Sequence, residues 1–173
     1  MAKRVGKAGK AKRVVKTETP RNNGIISFNF SEYEKWTYSI KCGKFNNHFK
    51  NFEQASRHFY FILSELFPYV SSNTEEVFNG RQDHCHILRK ENEKFARQVI
   101  NKLYGNDRLD ETIELWELGK PTQEIRVIGS FVDRTFYPLF IDHHHLIYPS
   151  KKYNDPDYEK YSYKAQDIPN EYN

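Results

Sequence analysis

No stretch of this chain approaches the ~18 consecutive apolar residues of a membrane-spanning helix, so no membrane contact is expected. Cysteine is almost missing. Cys42 and Cys85 are the only two in 173 residues, too few for a disulfide framework and in keeping with free thiols in the cytoplasm. The basic N-terminus lacks the apolar core of a secretory signal, and no internal repeat is visible. What the chain has instead is rings: 13 Phe and 12 Tyr, enough for an aromatic core although only 38% of residues are hydrophobic. The length suits one domain with tails.

The formal net charge of +4 is unevenly spread. Lys3, Arg4, Lys7, Lys10, Lys12, Arg13, Lys16 and Arg21 face Glu18 alone, so residues 1–21 carry +7 and the remainder −3. A mildly acidic body on a polycationic leash predicts an arm that displaces counterions from phosphates. Residues 1–23 hold few large apolar groups and are expected to be disordered when free. A single domain is expected over residues 24–149, followed by an extended or disordered tail over 150–173.

Periodicity predicts the elements. Ile25–Phe30 and Trp36–Ile40 alternate and read as a first hairpin. Asn51 caps a helix to Leu66, with Gln54 as capping-box partner and Phe52, Ala55, Phe59, Ile62, Leu63 and Leu66 on one face. Pro68 is expected to stop it, and the following segment to Asn79-Gly80 reads as loop. Lys90–Tyr104 is a second helix ending at Gly105. Ile113–Leu118 is a strand. Glu124–Val132 and Thr135–Ile141 form a hairpin about Asp133-Arg134, pairing Phe131 with Phe136, Val127 with Phe140, and Ile128 with Leu139. Pro138 removes a ladder donor opposite Gly129, so a bulge is expected there. Leu146–Tyr148 is a candidate further strand. The order predicts an α+β fold, with a mainly antiparallel sheet and two central helices.

Chemistry-bearing residues gather where the late hairpin ends. Asp142 is followed by His143, His144 and His145. Alternation sends His143 and His145 one way, and imidazoles beside a carboxylate suit acid–base work near neutral pH or a borderline metal. Arg126 stands between apolar neighbours on a central strand, a position that calls for a carboxylate partner or a phosphate. Arg134, Tyr148, Lys151 and Lys152 lie near the same stretch, Tyr148 as a ring on which a base can stack. Asp83-His84-Cys85-His86 superficially resembles the Asp-His-x-His run of a ββα-metal nuclease. That reading requires a Cys-x-x-Cys frame or an equivalent, which is absent. The two His clusters meeting in space is the condition for a metal site.

Arg126-Val127-x-Gly129, Phe136-Tyr137 and Asp142-x-x-His145-x-x-Tyr148-Pro149 resemble the C-terminal signature of an uncharacterised bacterial family of mobile and defence-associated loci. Ile26-x-Phe28 resembles its opening segment. Over residues 89–149, Trp116-Glu117-Leu118 followed by Arg126-Val127 is similar to RelE/HigB-type toxins. That resemblance implies mRNA cleavage without a metal or other cofactor, phosphate roles for Arg126 and Arg134, and acid–base duty for a His of 143–145. The acidic body, the extra early strands and the long tails depart from it. The resulting expectation is a nucleic-acid-engaging protein acting as a metal-independent ribonuclease. Arg126, His143 and His145 are its candidate catalytic groups. Lys3, Arg4, Lys7, Lys10, Lys12, Arg13, Lys16, Arg134, Tyr148 and Lys151 are its candidate contacts to RNA or DNA. The alternatives are a non-enzymatic interaction protein of a defence or counter-defence system, partnered by an antitoxin or defence component, and a metal-dependent nuclease.

Overall fold

The computed structural model describes residues 24–106, 108–149 and 157–167. Its elements are β1 (Ser27–Phe28), β2 (Lys41–Cys42), β3 (Phe45–Asn46), α1 (Phe52–Phe61), α2 (Phe67–Ser72), α3 (Thr74–Phe78), β4 (Cys85–Ile87), α4 (Lys90–Tyr104), β5 (Leu115–Gly119), β6 (Arg126–Val132) and β7 (Thr135–Asp142). Five strands form one sheet in the order β1-β7-β6-β5-β4, and β2 and β3 form a separate small ribbon. Only the β1–β7 pairing is parallel in the large sheet. The protein is therefore α+β with a mainly antiparallel sheet, as predicted.

The side-chain alternation of a strand divides the core in two. On one face Leu115, Ile128 and Phe140 pack with Val99 and Ile100 of α4. On the other Leu118, Val127, Phe136 and Ile141 pack with Ile62, Leu66, Val70 and Val77 from the helical run. α4 follows its predicted bounds, burying Ala96, Val99, Ile100 and Leu103.

The late hairpin has the predicted Asp133-Arg134 turn, with Asp133 at φ +55°. Phe131 opposes Phe136, and Gly129 opposes Pro138, beside the bulge. Beyond it the register is not the expected one: Ile128 faces Phe140 and Val127 faces Ile141. The bulge takes up Leu139 as an extra residue, which moves every later pair by one. Gly129 is required there, because a Cβ would come within 2.5 Å of the Phe136 ring.

Several expectations fail for identifiable reasons. The early hairpin does not form. Ser27–Phe28 instead joins the sheet edge, with Ser27 N–H donating to Arg134 O (3.0 Å) and Asn29 N–H to Phe136 O (2.9 Å). Trp36 lies in turns and stacks on Phe30 at 5.2 Å, so its apolar alternation reflects ring packing rather than a strand. Asn51 does cap α1, accepting from Gln54 N–H at 2.9 Å, while the Gln54 side chain accepts from Lys50 N–H at 2.7 Å. Pro68 does not stop the helix. A π turn over Ile62–Leu66 widens the backbone, with Phe67 N–H donating to Ile62 O, and α2 continues through Pro68. Wider turns of this kind relieve the clash and the missing donor that proline brings. The buried side runs through Ala55, Phe61, Ile62 and Leu66, leaving Phe52 and Leu63 exposed. α3 occupies part of the segment read as loop, β4 arises from the Cys85 region, and Leu146–Tyr148 forms no strand, with Ile147 and Tyr148 in a bend. From the expected C-terminal tail, residues 157–167 carry two 3-10 turns and bridge Phe49 through Tyr163.

Candidate functional site

Pairing brings four polar side chains to one end of the sheet, on its α4 face. His86 opposes Glu117 across β4–β5, Gly119 opposes Arg126 across β5–β6, and Arg126 opposes Asp142 across β6–β7. Glu117 and Arg126 are only 1% and 3% exposed. The Glu117 Oε1 atom lies 3.2 Å from Arg126 Nε, 3.8 Å from His86 Nε2 and 4.0 Å from His145 Nε2. The Arg126 Nε contact is an ion-pair approach without hydrogen-bond alignment, and Glu117 Oε2 and His145 Nδ1 have no hydrogen-bond partner among the described residues.

Arg126 is nevertheless well anchored. Its Nη1 donates to Gln123 O (2.6 Å) and Ile125 O (2.9 Å), and its Nη2 to His84 Nδ1 (3.1 Å). The last bond makes Nδ1 of His84 an acceptor and leaves the His84 proton on Nε2. Burial and the adjoining guanidinium hold His84 below its ordinary pKa. Gly119 makes room for the arginine, since a Cβ there would lie 2.6 Å from Arg126 Cδ.

Asp142 builds the loop that delivers His145. Its fully buried carboxylate accepts from His144 N–H (3.2 Å), Leu146 N–H (2.6 Å) and Ile147 N–H (2.7 Å). These bonds curl the chain immediately after β7, with His145 at φ +57°. Curling separates the three imidazoles. His145 turns to Glu117, while His144 lies 2.7 Å from the His48 carbonyl. His143 turns to the α1 side, with its Nδ1 3.2 Å from His58 Nδ1, between the rings of Phe49 and Phe59. The extended geometry that put His143 and His145 together is thus replaced by a loop that parts them.

Burial dominates the protonation of these groups. It pushes Glu117 up to about 7 against the attraction of Arg126. Asp142 rises to about 6 despite its three N–H donors. Burial, reinforced by Arg126 and the neighbouring imidazoles, lowers His145 to about 4. His58 falls to about 4 and His143 well below the ordinary value, each desolvated and each facing other imidazoles. A carboxyl that holds its proton near neutrality, with an imidazole on either side and a guanidinium in contact, can accept and return a proton.

The centre reaches solvent through β4. The His86 side chain is 43% exposed and its ring meets Tyr148 edge-on at 5.8 Å. A cleft of about 540 Å³ is lined by His86, Arg89, Lys90, Asn92 and Tyr148. A second, of about 530 Å³, lies over Asn79, Asp83, His84 and Trp116 and shares His86, Ile87 and Arg89 with the first. The exposed cations beside the centre are therefore Arg89 and Lys90. Arg134 sits at the opposite end of the β6–β7 hairpin, bonded to Glu75 (2.7 Å) and the Gly24 carbonyl. Lys3, Arg4, Lys7, Lys10, Lys12, Arg13, Lys16 and Lys151 lie outside the described residues.

The two His clusters do meet, at Glu117, yet among the described residues no group of three or more His, Cys, Asp or Glu converges to hold a metal ion. Sequence reading missed Glu117 as the hub, although an acid inside the apolar Leu115–Leu118 run is a signal in itself. It also missed His58, whose place opposite His143 has no local signature.

Fold and site together define an α+β protein with a buried carboxyl–imidazole–guanidinium centre at one end of its sheet. The chain belongs to the family described as Uncharacterised protein UU032, which matches residues 31–171. It is similar to Uncharacterized protein UU032 of Ureaplasma parvum serovar 3, 36% identical over 166 residues, covering 88% of this chain and 93% of that protein. No solved structure matches. The family match carries no link to mobile or defence loci or to RelE/HigB-type toxins, and it begins after the basic arm. No helix among the described residues is long and apolar enough to cross a membrane.

Proposed function

We propose that this protein engages RNA and cleaves its backbone by acid–base chemistry at the Glu117 centre, as a metal-independent ribonuclease. The observation that carries the reading is the Glu117 carboxyl, buried, protonated near neutrality and 3.8 Å from the solvent-reaching His86. His86 Nε2 lies 3.8 Å from Glu117 Oε1 and the ring lines the cleft, so a proton that His86 gains is held between the imidazole and Glu117. His86 takes the proton of a 2′-hydroxyl, whose oxygen bonds to phosphorus. The bond to the 5′-oxygen breaks and the proton returns to that oxygen, giving a 2′,3′-cyclic phosphate and a 5′-hydroxyl. Arg89 and Lys90 offset the phosphate charge. Arg126 acts from behind, because it is only 3% exposed. His143 faces away from this centre and contributes through packing.

The arm over residues 1–21 supplies sequence-independent attraction. Its deletion is expected to weaken RNA binding and to flatten the salt dependence, with up to eight fewer cations releasing counterions. Two free cysteines, Cys42 and Cys85, suit a cytoplasmic setting.

The test is incubation of RNA with purified protein in chelator. Fragments ending in 2′,3′-cyclic phosphate are expected, and their formation should fall at least a hundredfold in His86→Ala and Glu117→Gln. A wild-type protein that leaves RNA intact refutes the reading. One observation favours a second, non-enzymatic reading: Arg126 and Glu117 are almost wholly enclosed, as befits a network that holds the loop. Under that reading the protein binds nucleic acid or a protein partner, such as an antitoxin or defence component, without turnover.

A further inference from the structure

β4 and the residues just after it line two clefts. The clefts share His86, Ile87 and Arg89, and each has its own far wall: Tyr148 on one side, Asn79 and Trp116 on the other. The shared residues include one imidazole and one guanidinium, the latter 3.7 Å from Glu114 in an exposed pair that a phosphodiester can displace. Tyr148 is 53% exposed and presents a ring on which a base can stack. On the opposite side exposed Asn79 offers an amide with both donor and acceptor, the equipment for reading a base edge.

We propose that the two clefts are base subsites for one dinucleotide step of a single-stranded RNA, with the phosphate between them at His86 and Arg89. This deepens the ribonuclease reading and rests on it. A single nucleotide fills one cleft only, and a duplex keeps its bases stacked on one another and out of both. The protein therefore selects unpaired RNA. The Tyr148 side accepts any base, because every base has a stacking face, whereas the Asn79 side discriminates between bases by hydrogen bonding.

The test uses the full chain at 0.15 M salt with 2′-O-methyl dinucleoside monophosphates, which cannot be cleaved, against uridine 3′-monophosphate and a short RNA duplex. Binding is read by calorimetry and by the histidine ring signals in NMR. Dinucleotides are expected to bind about tenfold or more tighter than the mononucleotide, and Tyr148→Ala to remove most of that advantage. Asn79→Ala should change the ranking among dinucleotides of different sequence. Equal affinity for mono- and dinucleotide, or full binding by a folded Tyr148→Ala variant, overturns the proposal. The outcomes separate the two readings. RNA cleavage without a dinucleotide advantage keeps the catalytic reading and removes the subsites. A dinucleotide advantage lost in Tyr148→Ala, without cleavage of ordinary RNA, keeps the subsites and removes the chemistry.

Discussion

Replacing Glu117 by Gln is expected to stabilise the protein, and the size of the gain follows from burial. The carboxyl titrates near its ordinary value of 4.5 when unfolded and at about 7 when folded. Between those values the folded state binds more protons than the unfolded one, so wild-type stability falls as pH rises through that window. Each pH unit costs about 1.4 kcal/mol, which amounts to roughly 3 kcal/mol by pH 7 and levels off above it. Gln keeps the shape of the protonated acid but has no proton to lose. The variant should therefore match wild type near pH 4, gain roughly 1 kcal/mol at pH 5 and about 3 kcal/mol at pH 7. Urea denaturation followed by tryptophan fluorescence at pH 4, 5, 6, 7 and 8 measures the difference. A Gln variant less stable than wild type at pH 7 refutes the reasoning, because it means that the ion pair with Arg126 outweighs the desolvation of both charges. Higher stability together with lost RNA cleavage is the pattern of a residue kept for chemistry at the expense of the fold.

Gly119→Ala should push the Arg126 side chain from its seat, costing about 1–3 kcal/mol of stability and reducing RNA cleavage, as measured by denaturation and product analysis. An unchanged variant means that Arg126 has room to move. Asp142→Asn removes the charge and one of the acceptor oxygens that hold the His143–Ile147 loop, and should cost about 1–3 kcal/mol with loss of the His145 ring signal position in NMR. A wild-type spectrum would show that the loop holds itself.

How much of this was legible depended on whether the cause was local. The α4 helix could be read directly, because its apolar stripe and the closing Gly105 lie within one segment. The hairpin turn and the Gly129–Pro138 bulge were legible for the same reason. The register beyond the bulge was not, since it depends on which strand absorbs the extra residue. Ile25–Phe30 and Trp36–Ile40 alternate like a hairpin, yet β1 found its partner more than a hundred residues away, and aromatic packing used the rest. Pro68 signalled a stop that the π turn overrode.

The sequence alone determined the α+β class, the charge divided between a basic arm and an acidic body, and the polar end of the late hairpin, because composition and short-range periodicity carry them. Only the tertiary structure decided that Asp142 would spend its carboxylate on three backbone donors, that His143 and His145 would part, and that Glu117 would gather His86, His145 and Arg126. Those outcomes depend on strand order and on the edge strand β4. No local pattern encodes them, because each partner arrives from a distant part of the chain and is held there by burial.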